Sequence, residues 1–260
     1  MGIQLSKLVK GSEIEIEYLR GRTIAVDAFL WMHQFLSIIR GYDGTPLKTS
    51  KGKISSHISG ICYRSAKLIE AGVNLVWVFD GPKPEFKYVV SERRTVREEA
   101  EKRWKKALAA GKMDEARSAA QQTATVNKEM IEDSKKLLEY MGIPFVQAPS
   151  EGEAQCAHMC KSKVVYGSAS QDFDSLMFGS SLLIRNLSIT GKRKVPRKKY
   201  YVEVKPELIE LERVLKELGI NQDQLILVGM LIGSDFNPGI HGIGPKKALK
   251  IVKEEKTLDK

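Results

Sequence analysis

The chain has 260 residues, 42% of them hydrophobic, and can therefore bury a full core as one large domain or one domain with an insertion. No apolar run reaches about 18 residues, and the N-terminus lacks a charged segment followed by an apolar one, which argues against a membrane span and against secretion. The formal net charge of +10 favours a polyanionic partner such as a nucleic-acid backbone.

The cysteines and the N-terminus suggest little chemistry of their own. Cys62, Cys156 and Cys160 lack metal-ligand spacing, which indicates a reducing, intracellular compartment. The start MGIQLS fits the N-myristoylation pattern and would make the chain a lipid-anchored adaptor. The pattern is short, and a single acyl chain anchors only weakly, so we expect no membrane attachment. Acyl mass on Gly2 would favour the adaptor.

Three apolar, strand-like runs of the sequence each lead into aspartate. The aspartates are Asp27 after RTIAV, Asp80 after NLVWVF, and Asp172 with Asp174 after VVYGSAS. The first run precedes a predicted helix from Ala28 to Arg40. Alternating strands and helices predict a mainly parallel sheet, and ligands bind at the carboxyl edge of such sheets. One strand-terminal Asp is often a cap or a turn residue, but several with the same polarity indicate a site.

A charged helical segment spans about residues 84–130. Val96, Ala100, Trp104 and Leu108 recur every four residues as a narrow apolar stripe, and Gly111 with Lys112 predicts a turn into a second helix. We expect this second helix to continue through IEDSKKLLEYMG. The segment is predicted to form a helical hairpin with too little apolar surface for the core, although a charged run is often only a solvated face.

The segment APSEGE places Glu151 and Glu153 in the first turn of a helix predicted to start at Pro149 and Ser150. Ser150 and Glu153 fit a capping box, which would be a structural role. Further on, LIELERVLKELG predicts an amphipathic helix. QDQLILVGMLIG predicts a buried helix that leads to Asp235.

A glycine-rich stretch precedes the last predicted helix. Gly239, Gly242 and Gly244 come before Lys246 and Lys247. Such a turn presents backbone N–H groups and a positive helix end to a phosphate, and lysines add charge. The alternative is an ordinary turn between helices.

The acids described above form a set without His or Cys at ligand spacing. They are Asp27, Asp80, Glu151, Glu153, Asp172, Asp174 and Asp235. An all-oxygen set selects Mg²⁺ or Mn²⁺ over Zn²⁺. Two such ions about 4 Å apart would activate a water and stabilise both oxygens of a phosphodiester displacement. The predicted reaction is phosphodiester hydrolysis.

Several motifs in combination resemble those of one family. VDAF, VFDG, APSEGEAQ, SQDFDSLMFG, GSDF and GIHGIGPKKAL are similar to segments of the archaeal and eukaryotic flap endonucleases, which are structure-specific 5′ nucleases, and are closest to the archaeal type. The resemblance implies an α/β fold with a mainly parallel central sheet flanked by helices, PIN-like, in a single domain over residues 1–260. It also implies a helical arch at about 84–130 and a helix-two-turn-helix at about 222–255.

The resemblance implies a divalent-metal-dependent endonuclease. It would cut near the base of 5′ flaps in branched DNA, as in Okazaki-fragment maturation and base-excision repair, and have 5′→3′ exonuclease activity. Alternatives are a 5′ exonuclease of the same family and a catalytically silent DNA-junction scaffold. We expect an intracellular monomer, cytoplasmic if archaeal and nuclear if eukaryotic.

The resemblance also implies roles for individual residues. The seven acids match ligands of two Mg²⁺ ions, for which Mn²⁺ can substitute, and a K⁺ ion is expected at the helix-two-turn-helix. Lys87 and Arg93 match residues that act on the scissile phosphate. The expected DNA contacts are Gly2, His33, Arg40, Arg64, Lys128, Gly239, Gly242, Gly244, Lys246 and Lys247.

Two features depart from the family pattern. His33 stands where relatives usually carry a Tyr that stacks on a base, and imidazole stacks less broadly. The sequence stops at Lys260, whereas relatives continue to a sliding-clamp motif. We expect a clamp contact only if a longer C-terminus exists.

Overall fold

The computed structural model describes residues 3–82, 90–194 and 200–255. A seven-stranded sheet has the order β1-β9-β6-β5-β2-β3-β4, and β7 and β8 form a separate antiparallel pair. The strands are β1 Ser12–Glu13, β2 Thr23–Asp27, β3 Asn74–Phe79, β4 Phe145–Gln147, β5 Gly167–Ala169, β6 Leu182–Arg185, β7 Gly191–Lys194, β8 Tyr201–Val204 and β9 Glu207–Glu210.

Helices cover both faces and one end of this sheet. They are α1 Ala28–Ile38, α2 Ser56–Glu70, α3 Val90–Ala109, α4 Met113–Gln121, α5 Lys128–Tyr140, α6 Gly152–Lys161, α7 Asp174–Met177, α8 Leu211–Leu218, α9 Gln222–Ile232 and α10 Pro245–Glu255. Within the described ranges, no helix combines the length and apolar character that a membrane crossing needs.

The central strands are parallel, as predicted. From β6 through β5, β2 and β3 to β4, every neighbouring pair runs in the same direction, and β9 and β1 add an antiparallel edge. Successive side chains of β2 point to opposite faces. Ile24 and Val26 join the core with α1, α2 and α5, whereas Ala25 packs with α6. Burial on both faces explains why these strands are continuous apolar runs.

One predicted helix includes part of a strand. We predicted a single amphipathic helix for LIELERVLKELG, but Leu208–Glu210 belong to β9, and the helix begins at Leu211. Leu208 and Ile209 are buried and pair with β6. The prediction was wrong for these residues because sheet pairing overrides local helix periodicity.

The predicted hairpin is present as α3 and α4, which pack against each other. Of the predicted stripe, Ala100 is fully buried and Trp104 is half-buried, whereas Val96 is 51% exposed. The prediction of a continuous second helix was wrong, because α4 ends at Gln121 and Asn127 caps α5 by accepting a hydrogen bond from the backbone N–H of Met130 at 2.8 Å.

Candidate metal centre

Two of the predicted acids lie at the carboxyl ends of the adjacent parallel strands β2 and β3. Asp27 is the last residue of β2 and caps α1, since its carboxylate accepts from the N–H of Leu30 at 3.0 Å. Asp80 follows β3 and accepts from the N–H of Gly152 at 2.7 Å. The sheet therefore brings the starts of α1 and α6 to the same edge.

Glu153 connects α6 to the segment after β5. One of its carboxylate oxygens accepts from the hydroxyls of Ser170 at 2.9 Å and Ser175 at 2.7 Å, and from the Ser175 N–H at 3.2 Å. The expected capping box is wrong, because α6 begins at Gly152 with Glu151 as its N-cap, and no side chain caps it. Glu151 is half-buried beside Gly152.

Asp174 is the first residue of α7, and its carboxylate accepts from the backbone N–H of Ile3 at 2.7 Å. Asp172 lies two residues earlier, and its own N–H donates to the Ser170 hydroxyl at 3.2 Å. Asp235 lies in the turn after α9 and is close enough to act on the Asp174 carboxylate electrostatically. The chain thus approaches this edge from five separate elements.

Burial and the charges of neighbouring acids raise the pKa values of three of these carboxyl groups. Burial, followed by the charge of Asp80, raises the pKa of Asp27 to about 7. Burial and the charges of Asp27 and Asp174 raise the pKa of Glu153 well above its usual value. Burial is also the main cause that raises the pKa of Asp174 to about 6, against the lowering effect of the Ile3 N–H. Ionised together, these carboxylates form a site with uncompensated negative charge.

This donor set fits a hard divalent cation. Its acids offer carboxylate oxygens, which Mg²⁺ and Mn²⁺ prefer. Among the residues that the structure describes, no three His, Cys, Asp or Glu side chains already surround one ion position. Mg²⁺ usually keeps several waters and is bound directly by only one or two carboxylates, so such an arrangement suits it.

Two predicted DNA-contact arginines are held by backbone carbonyls. Arg40 donates to the carbonyl of Leu36 at 2.7 Å and to that of Gly44 at 2.9 Å. Arg64 donates to the carbonyl of Thr190 at 3.2 Å. Burial lowers the pKa of both guanidinium groups from their ordinary value. His33 on α1 and Lys128 at the start of α5 are exposed.

The glycine-rich turn between α9 and α10 depends on Gly239. Its φ is +69°, and a Cβ there would lie 2.4 Å from the carbonyl oxygen of Ile232. A side chain at this position would therefore meet backbone at the end of α9. Gly242 also has a positive φ, of +82°, whereas Gly244 directly precedes α10. Lys246 and Lys247 are exposed on the first turn of α10.

Three predicted site residues are not placed by the structure, and several groups that hold the acids were not predicted. Gly2, Lys87 and the side chain of Arg93 lie outside the described residues. Sequence reasoning missed groups that hold the acids, including Ser170, Ser175 and the N–H groups of Gly152 and Ile3. The serines flank the DFD segment and could have been noticed, but no local signal links Ile3 to it.

Known proteins match this chain over nearly its whole length. The XPG N-terminal domain matches residues 1–101, and the XPG I-region matches residues 142–235. Flap endonuclease 1 of Pyrococcus abyssi is 58% identical over 98% of this chain and 75% of its own length. That of Korarchaeum cryptofilum is 52% identical over 98% and 76%.

Solved structures agree with the sequence matches. Flap endonuclease-1 from Methanococcus jannaschii superimposes with a TM-score of 0.75 at 34% identity, covering 98% of this chain and 78% of that one. The catalytic core of Rad2 in complex with DNA substrate has a TM-score of 0.71 at 29% identity, covering 100% and 70%. The 5′ nuclease fold and the high sequence identity to these relatives show that the chain belongs to the flap endonuclease family, whose members are structure-specific 5′ nucleases that use divalent metal.

Proposed function

We propose that this flap endonuclease holds two Mg²⁺ ions at the carboxyl edge of its sheet and cuts branched DNA near the base of a 5′ flap. One observation carries the proposal. At this edge, burial and then the charges of neighbouring acids raise the pKa values of Asp27, Glu153 and Asp174, and bound cations would compensate the negative charge.

The proposed ligands are all seven acids, acting directly or through water. They are Asp27, Asp80, Glu151, Glu153, Asp172, Asp174 and Asp235. When bound, the ions supply Lewis-acid stabilisation and a water of lowered pKa, and Mn²⁺ can substitute for Mg²⁺. The chain itself orients the carboxylates: the N–H of Gly152 fixes Asp80, and the hydroxyls of Ser170 and Ser175 fix Glu153.

Basic residues would bring the DNA to this edge. We assign Lys87 and Arg93 to the scissile phosphate, at the base of an arch that spans about residues 84–130. Further DNA contacts are assigned to Gly2, His33, Arg40, Arg64 and Lys128. Burial disfavours the positive charge of the Arg40 and Arg64 guanidinium groups. A phosphate beside either group would compensate that charge, which supports these two contacts.

We assign residues 222–255 to the uncleaved duplex, as a helix-two-turn-helix that also holds a K⁺ ion. Gly239, Gly242 and Gly244 would let the backbone approach a phosphate, and Lys246 and Lys247 would add charge at the start of α10. These groups address phosphates and not base edges, so we expect low sequence specificity.

The remaining assignments concern organisation. We propose that residues 1–260 form a monomeric nuclease domain and that its partner is branched DNA. Because its substrate is DNA, we expect it to act inside the cell.

Cleavage of a double-flap DNA in Mg²⁺ and in EDTA tests the metal centre. Asp172→Ala should lose on the order of 10²–10³ in single-turnover rate, the loss typical of removing one electrostatic stabiliser. The matched control is Glu212→Ala, an exposed acid on α8, which should cut normally. Equal cleavage by Asp172→Ala and the unmutated chain would sink the proposal.

A second variant tests the basic residues. Lys87→Ala should lose rate while retaining DNA affinity in EDTA, which would place Lys87 in transition-state stabilisation. Product length separates an endonuclease, which releases the intact flap, from a 5′ exonuclease, which releases mononucleotides. Absence of both hydrolysis and Mg²⁺ or Mn²⁺ binding in calorimetry would favour the silent scaffold.

A further inference from the structure

A cavity of about 320 Å³ opens beside the carboxylates, between the start of α6, the end of α7 and the turn after α9. Its lining residues include Pro149, Glu151, Ala154, Phe178 and Phe236. Glu151 belongs both to this cavity and to the proposed metal ligands. Phe236 directly follows Asp235, and the backbone N–H of Phe178 donates to the carbonyl of Asp174. The cavity therefore adjoins the proposed metal centre at Glu151.

The two phenylalanine rings contact each other instead of filling the core. Their centroids lie 6.4 Å apart at an interplanar angle of 88°. Phe178 is 36% exposed and Phe236 is 37% exposed, and neither ring belongs to the three hydrophobic clusters found among the described residues. The pair thus offers aromatic surface to whatever enters the cavity.

The lining selects against an anion and for a flat, neutral group. It is mostly apolar, its one charged side chain is the Glu151 carboxylate, and it contains no Lys or Arg among the residues the structure describes. A phosphate placed here would be repelled. The hydroxyl of Ser150 and the amide of Gln155 are the remaining polar groups. They can pair with the edge of a flat ring while one phenylalanine stacks on its face and the other, which is nearly perpendicular to the first, meets it edge-on.

We propose that this cavity, hereafter the base pocket, receives the nucleobase of one of the two nucleotides joined by the scissile phosphate. The inference rests on the proposed function, because a phosphate bound at the carboxylates leaves an attached base within reach of Glu151. Stacking on aromatic rings tolerates every base, which suits an enzyme that recognises structure and not sequence. Phe178 and Phe236 would act as positioning residues that hold the strand while it is cut.

A double-mutant cycle that combines a protein variant with a modified DNA substrate tests the base pocket. The flap DNA carries an abasic site on one side or the other of the scissile phosphate, and Phe236→Ala is compared with the unmutated chain in single-turnover cleavage. Each change alone should slow cleavage about 5- to 160-fold, the range for one base–aromatic stack of about 1–3 kcal/mol. At the position whose base occupies the pocket, the abasic site and Phe236→Ala remove the same contact. Combining them should therefore slow cleavage by no more than about twofold beyond the larger of the two single effects.

Several variants separate base contact from damage to the fold. Phe178→Ala should repeat the loss, and Phe236→Tyr, which keeps the ring, should cut within about twofold of the unmutated chain. Tyr140→Ala removes an aromatic residue that is 88% exposed at the end of α5 and should have no effect. Losses that multiply at both abasic positions would overturn the proposal and indicate a structural role or another occupant, such as a partner's side chain.

Fluorescence reads the pocket without hydrolysis. With 2-aminopurine at each of the two positions in turn and EDTA present, binding of the unmutated chain should quench one of them, and Phe236→Ala should not. An unchanged signal at both positions would overturn the base pocket. Quenching without any cleavage in Mg²⁺ would instead contradict the proposed function and leave the pocket intact.

Discussion

The carboxylate edge of the sheet and the α3–α4 hairpin are both rich in charge, yet they are held in different ways. At the sheet edge, acids that repel one another are fixed by parallel strands and by hydrogen bonds such as that from Ser175 to Glu153. The hairpin rests on small contacts, including the bond from the Trp104 indole to the Asp43 carbonyl at 3.0 Å. A rigid sheet can therefore hold an unfavourable charge arrangement, whereas the hairpin's position depends on a few groups.

The largest expected effect concerns the sheet edge. Glu153→Gln should reduce single-turnover cleavage on the order of 10²–10³-fold, because a negative charge is lost from the site. In EDTA the same variant should raise the free energy of unfolding by about 1 kcal/mol, since an amide oxygen can still accept from the serines while the repulsion by Asp27 and Asp174 disappears.

Denaturant unfolding in EDTA measures the second effect. Glu212→Gln changes an exposed acid on α8 and should alter neither quantity. If Glu153→Gln instead destabilised the metal-free chain, the carboxylate edge would not be an unfavourable arrangement, and its contrast with the hairpin would fail.

The next effect concerns the hairpin. Trp104→Ala should lower the free energy of opening of α3 and α4 by about 2 kcal/mol, because a half-buried ring and its hydrogen bond are removed. Amide hydrogen exchange should report this change in the hairpin and leave β2 and β3 unaffected. Trp104→Phe keeps a ring without the N–H and should cost about 1 kcal/mol. An equal loss of protection in β2 would show that the hairpin and the sheet open as one unit.

A smaller effect separates backbone strain from the packing of the Gly44 turn against α4. Gly44 has φ +85°, and a Cβ there would lie 2.7 Å from the Cβ of Ala120 on α4. Gly52 has φ +81° with no atom within 4 Å. Both Gly→Ala variants should lose about 1 kcal/mol from strain, and Gly44→Ala should lose about 1 kcal/mol more because it pushes against the hairpin. Thermal unfolding and exchange in α4 measure the difference, and equal losses would show that this contact does not hold the hairpin.

The smallest effect is a pH dependence of the free energy of unfolding, and it arises from a buried histidine on α2, which packs against the sheet. His57 on α2 is 1% exposed, neither ring nitrogen has a hydrogen-bond partner among the described residues, and burial lowers its pKa. Below about pH 6.5 the unfolded imidazole binds a proton that the folded one resists, so the free energy of unfolding falls by up to about 0.8 kcal/mol at pH 6. The difference between the unmutated chain and His57→Leu isolates this slope. The same slope in both would assign it to other groups.

The two regions also differ in how far the sequence predicts them. Strand periodicity placed Asp27, Asp80 and the DFD segment at one sheet edge, and the structure confirms that location, because parallel strands leave few alternatives. The start of α6 was predicted too early, since Ser150 fits a capping pattern that the fold does not use. The break before α5 carried a signal in Asn127, a common N-cap, that was outweighed by the continuous helical composition.

Contacts between distant segments were beyond the sequence. Nothing near Ile3 indicates that its N–H donates to Asp174, and nothing near Leu208 indicates that β6 recruits it as a strand. Both outcomes depend on the packing of elements that are far apart in the chain.

The hydrogen bond from Ile3 to Asp174 joins residues 171 positions apart, and β2 pairs on one side with β3 and on the other with β5. A ribosome must therefore translate most of the sequence before β2 can take its central place, and the last acid of the set, Asp235, emerges later still. Large sequence separation also makes such assembly slow relative to helix formation. A nascent or prematurely terminated chain that ends before Asp235 would lack one of the proposed ligands, so under this proposal the order of synthesis would keep unfinished copies from cutting nucleic acid.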